Sequence, residues 1–79
     1  MIIKQNGYDV EYSDDGKMLV KCPPSFSGEF VVPDSVTEIG EDAFEGCTGL
    51  TGITFPEPMT EIGFIAFYGC TGLKAIEFH

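Results

Sequence analysis

Side chains able to carry catalysis are few: His79 is the one imidazole, and three thiols, Cys22, Cys47 and Cys70, stand among 13 Asp and Glu and four Lys, with no Arg. General acid–base chemistry needs a titrating group held within reach of a reacting atom, and His79 sits at the chain end. No Ser-His-Asp set and no glycine-rich phosphate loop is visible, since the glycines fall at turns. The expectation is no catalytic residue and a protein that is not an enzyme. Zinc wants four ligands, and the paired thiols have no imidazole beside them in the pattern. Asp14-Asp15-Gly16 lacks the spaced oxygen ligands and terminal Glu of a calcium loop and reads as a turn. No metal and no cofactor is therefore expected.

Charge narrows the partners. A net charge of -9, with cations only at Lys4, Lys17, Lys21 and Lys74, argues against nucleic acid, because phosphate binding needs clustered Lys and Arg. The acidic positions 38, 41, 42, 45, 57 and 61 read as a solvated face that limits aggregation and would attract a basic partner. With 43% hydrophobic residues, among them seven Phe and three Tyr, the chain has a folded composition. No apolar run is long enough to cross a bilayer as a helix, so no membrane insertion is expected. The N-terminal stretch MIIKQNGYDVEYSDDG lacks the apolar core and cleavage site of a secretory signal.

Positions for these residues come from an internal repeat. Pro33 to Phe55 and Pro56 to Phe78 align without a gap and share 14 of 23 residues, where unrelated stretches would share roughly one or two. A period in the twenties predicts one turn of a solenoid per repeat. Leu50, Ile53 and Phe55 have the spacing of a short strand with Ile53 and Phe55 on one face and Thr54 on the other, and Pro56 ends it. Val36 and Ile39 carry apolar side chains to the opposite wall. Ala43-Phe44 reads as a single helical or 3₁₀ turn, with Phe44 as the wedge that fills the interior. Cys47 and Cys70 occupy equivalent positions and should stack in adjacent turns as small buried side chains.

The pattern Leu50-x-x-Ile53-x-Phe55-Pro56-x-x-Met59-x-x-Ile62-Gly63-x-x-Ala66-Phe67-x-x-Cys70 resembles the BspA-type, 23-residue leucine-rich repeats, departing mainly at Met59 and Phe55. The resemblance covers about residues 30 to 78. It implies a non-enzymatic protein-binding or adhesion module of the kind found on cell surfaces or secreted.

Upstream, Tyr8 to Tyr12 alternates apolar and polar residues, and Lys17 to Cys22 is a second strand candidate after the Asp14-Asp15-Gly16 turn. Together they predict a β-hairpin that caps the repeats, with Pro23 to Gly28 as a rigid loop and Cys22, at the hairpin edge, the thiol best placed to react. Three cysteines, an odd number, fit core use or a reducing compartment better than a disulfide framework. The expected architecture is mainly β with short helical or 3₁₀ turns: a single domain over 1–79, with a hairpin cap at 1–29, a first repeat at 30–55 and a second at 56–78.

Differences between the repeats point to the contact surface. Glu41, Asp42 and Glu45 become Phe64, Ile65 and Tyr68, an outward face changed from acidic to apolar, and exposed apolar clusters mark contacts. A second candidate is the strand face bearing Val31, Thr51, Thr54, Lys74 and Glu77. The expected partner is another protein or a second copy of the chain. In the latter reading the chain is a self-associating structural unit, a homo-oligomer formed through an uncapped end or the apolar patch.

Overall fold

Each 23-residue period donates one strand to each of two sheets. The computed structural model describes residues 1–57, 59, 61–63 and 65–78; Phe64 and His79, singled out above, lie outside them. Eight strands form in chain order: β1 (Ile2–Gln5), β2 (Tyr8–Tyr12), β3 (Met18–Lys21), β4 (Ser27–Val31), β5 (Glu38–Ile39), β6 (Gly49–Phe55), β7 (Glu61–Ile62) and β8 (Ala75–Phe78). One sheet runs β1-β2-β3-β5-β7 and the other β4-β6-β8. From β3 onward all pairing is parallel. The fold is mainly β and, among the described residues, contains no helix.

The repeat sets the register. Ile39 pairs with Ile62 between β5 and β7, and Ile53 and Phe55 pair with Ile76 and Phe78 between β6 and β8. Identical positions thus lie above one another, and the apolar ones meet between the sheets. Val10, Leu19, Phe26, Phe30, Val36, Phe44, Leu50 and Phe55 are buried there. Rings run through this interior from Tyr8 to Phe26, Phe30, Phe44 and Phe67 with successive centroids 5.0, 5.1, 5.1 and 5.1 Å apart, the spacing of favourable aromatic pairs. Phe44 is the link between the first repeat and both its neighbours.

Three expectations need correction. The Ala43-Phe44 segment is not a helical or 3₁₀ turn. Ala43, Glu45 and Cys47 donate their N–H groups three residues back, to Gly40, Asp42 and Phe44, while Phe44 and Gly46 donate instead to Ala66 and Tyr68 of the next repeat. Alternate amides are spent on stacking, so the consecutive local bonds of a helix do not form. Ala66, Tyr68 and Cys70 repeat the local half of the scheme, donating to Gly63, Ile65 and Phe67.

The N-terminal hairpin, secondly, has a third strand. Asn6 and Gly7 both adopt positive φ, 52° and 84°, in the tight turn that Asn-Gly favours, and join β1 to β2 in antiparallel register. That turn lies over the outer edge of β4, where the amides of Gln5 and Asn6 donate to the carbonyls of Val31 and Glu29, each at 3.3 Å. Cys22, finally, is buried rather than reactive at an edge. Its N–H donates to the Ala43 carbonyl at 2.7 Å, which makes it the first member of the cysteine stack.

Close stacking also explains one shared glycine. A Cβ on Gly63 would lie 2.4 Å from the Glu41 Cα and 2.6 Å from the Gly40 carbonyl oxygen, so the bend at Ile62-Gly63 is seated directly against the equivalent bend below it.

Candidate interaction surface

Parallel register gathers most of the strand-face candidates. Val31, Thr54 and Glu77 form one rung across β4, β6 and β8. Val31 is 65% exposed, Glu77 is exposed and Thr54 half-buried. Thr51 and Lys74, both exposed, stack at the base of the same strands, where the Lys74 N–H donates to the Thr51 carbonyl at 2.9 Å. The face is mixed in character: one aliphatic, two hydroxyls and one charge of each sign.

The apolar patch occupies the turn of the second repeat. The Tyr68 N–H donates to the Ile65 carbonyl at 3.1 Å, holding the two in one turn. Tyr68 is 69% exposed and Ile65 is also exposed. The third patch residue, Phe64, is outside the described residues.

The wider apolar exposure of the second repeat was not singled out from sequence, because the letters are the same as in the first. Ile39 is 3% exposed and its partner Ile62 40%; Ile53 is 2% exposed and Ile76 53%; Phe55 is 1% exposed and Phe78 71%. Met59, Phe67, Cys70 and Leu73 are partly buried, whereas Val36, Phe44, Cys47 and Leu50 at the equivalent positions are fully buried. Identity of residue type sets which side chains turn inward, but the number of stacked neighbours sets how far they are covered. Among the described residues β8 has a strand on one side only, β6.

An acidic cavity of about 210 Å³ lies on the other sheet, lined by Met18, Glu38, Ile39, Gly40, Glu41, Glu61 and Gly63. In-register repetition stacks Glu38 on Glu61. The salt bridges among the described residues involve Met1 with Glu11 and Asp14, and Lys4 with Asp9, so none neutralises this cluster.

The cysteines serve packing. Cys47 Sγ donates to the Pro23 carbonyl at 3.5 Å and Cys70 Sγ to the Phe44 carbonyl at 3.0 Å, each reaching the turn beneath. All three are free. Hydrogen bonding to Cys47, with burial, pushes the Cys22 thiol up, and desolvation pushes the Cys70 thiol up; both hold these residues as protonated thiols. No group of three or more His, Cys, Asp or Glu able to hold a metal occurs among the described residues, and they include no helix long and apolar enough to cross a membrane.

The model of the BspA type leucine rich repeat region (6 copies) matches residues 24–79. No curated protein and no solved structure matches the chain. Repeats of this family are generally non-enzymatic and mediate protein–protein interaction. The matched stretch begins before β4 and includes both repeats, and the chain belongs to the BspA-type leucine-rich repeat family.

Proposed function

We propose that this chain is a protein-interaction module, a short leucine-rich-repeat solenoid organised as an N-terminal hairpin cap at 1–29 followed by repeats at 30–55 and 56–78. Contact is made through the apolar second repeat, with Ile65 and Tyr68 exposed in its turn and Phe64 their neighbour in the sequence. The observation that carries this reading is the change in exposure between equivalent positions, above all Phe55 at 1% and Phe78 at 71%. Exposed apolar surface of this kind stabilises association when covered. Adhesion at a cell surface or in secreted form is the finer statement of the same function, and family membership supports it. The strand face of Val31, Thr51, Thr54, Lys74 and Glu77 is the flanking surface, where polar groups orient a partner.

A photo-reactive phenylalanine analogue tests this when placed at Tyr68, at Thr51 or at Asp9, in chains returned to their native surroundings. Adducts to protein formed from position 68 support the reading. Adducts confined to position 51 move the contact to the strand face, and an absence of adducts from all three positions counts against an interaction module.

A further inference from the structure

The two outer edges of the β4-β6-β8 sheet differ. The β4 edge is covered by the hairpin turn, with Gln5 and Asn6 donating to its carbonyls. The β8 edge carries Ile76 and Phe78 uncovered. The far edge of the other sheet, β1, carries Lys4, a charge of the kind that blunts strand-to-strand pairing. A second copy therefore cannot add its β4 to β8 in the manner of another repeat, since that edge is occupied. It can present its own β8.

We propose that two copies of this chain pair through β8 about a two-fold axis, their β8 strands running antiparallel with Ile76 opposite Ile76 of the other copy. This rests on the interaction-module reading and names its partner. A two-fold axis normal to the sheet keeps inward faces together, so only residues of the same face can lie opposite each other. Two central registers satisfy this. Centring on Glu77 sets two carboxylates directly across from one another, which is destabilising; centring on Ile76 sets Glu77 opposite Ala75. The layer of Met59, Ile62, Phe67, Leu73, Ile76 and Phe78 is covered by its own counterpart. At roughly 150–250 Å² for a fully exposed aromatic, that layer leaves on the order of 500 Å² of apolar side chain per copy. Two such layers bury about 1,000 Å², the lower bound of a specific interface. The pair is accordingly at the weak, transient end of specific interfaces. Each copy carries a net charge of -9, so association works against repulsion and tightens as salt screens it.

Sedimentation equilibrium of the unaltered chain provides the test. The expected result is a monomer–dimer equilibrium whose association constant rises several-fold between low and high salt. A monomer at every concentration and salt overturns the pairing, while leaving the interaction module intact if position 68 still forms adducts with a different protein. Association that weakens with salt also overturns it, and points to attraction between opposite charges on the two copies instead. Assemblies larger than a dimer overturn it as well. Ile76→Lys should abolish the dimer, whereas Val20→Lys, exposed on β3 away from that edge, should leave it unchanged. A dimer that survives Ile76→Lys contradicts the proposal. In a Cys70→Ser background, Ile76→Cys should form an intermolecular disulfide under oxidised glutathione, which takes up the two electrons and two protons released. Cross-linking by Glu77→Cys and not by Ile76→Cys would overturn the register.

Discussion

The two repeats share their inward letters and differ in their surroundings. The first repeat has β3 and β4 on one side and the second repeat on the other; among the described residues the second has a neighbour on one side only. The same Phe, Ile and Leu positions are core in one and surface in the other, so in a stacked fold burial belongs to the pair of neighbours rather than to the residue. Sequence divergence follows the same division. Outward positions 41, 42 and 45 are acidic beside a covered layer, and the counterparts of 42 and 45, Ile65 and Tyr68, are apolar beside an open one.

Truncating equivalent rings should give the largest separation between the repeats. Phe44→Ala removes a fully buried ring that touches Phe30 and Phe67 and should cost about 3–5 kcal/mol, enough to unfold much of a 79-residue chain. Phe67→Ala, at a half-buried site, should cost roughly half as much. Urea midpoints of the two variants measure this, and equal losses would mean that the second repeat is covered as well as the first.

Glycine substitution reverses the order. Gly63→Ala drives a methyl into the backbone of Glu41 and should cost about 1–3 kcal/mol, whereas Gly40, whose Cβ would meet the Leu19 carbonyl at 3.1 Å, should lose less. Thermal midpoints decide between them. A smaller change comes from the covered edge. Gln5→Ala removes the donor to Val31 and the acceptor of the Tyr12 hydroxyl, and should cost about 1 kcal/mol, read from the same melts.

Two titrations sharpen the contrast without changing the fold. Burial pushes the Tyr12 hydroxyl up to about 12 from 10.0. A raised folded-state value contributes stability that is complete below pH 10 and lost as pH climbs through about 12, so alkaline unfolding followed by circular dichroism should begin above pH 10. Cys70 alone among the thiols is not fully buried. An aromatic disulfide reagent should modify it in the native chain, faster as pH rises, while Cys22 and Cys47 react only on unfolding. Equal labelling of all three would mean that the stack is open throughout.

Much of this was legible in the letters. The 14 shared positions give the strand, the opposite wall and the inward Phe, because in-register stacking turns a sequence period directly into a spatial one. Three features were harder to read. Asn6-Gly7 carries a strong hairpin signal, but β1 alternates weakly and its role over the β4 edge arises only in three dimensions. The turn at Ala43-Phe44 has helical composition, yet its amides bond to the next repeat, a competition invisible within one period. Cys22 lies 25 residues before Cys47 instead of 23, so it falls outside the ungapped alignment although the fold stacks it with the others.

Amide hydrogen exchange of β6 against β8 in dilute protein most directly tests whether the second repeat is the uncovered, contact-making layer. The account predicts that Ile53 and Phe55 exchange only through global unfolding, while Ile76 and Phe78 exchange orders of magnitude faster and gain protection as the protein is concentrated. Equal protection of the two strands in dilute solution, unchanged by concentration, would contradict it.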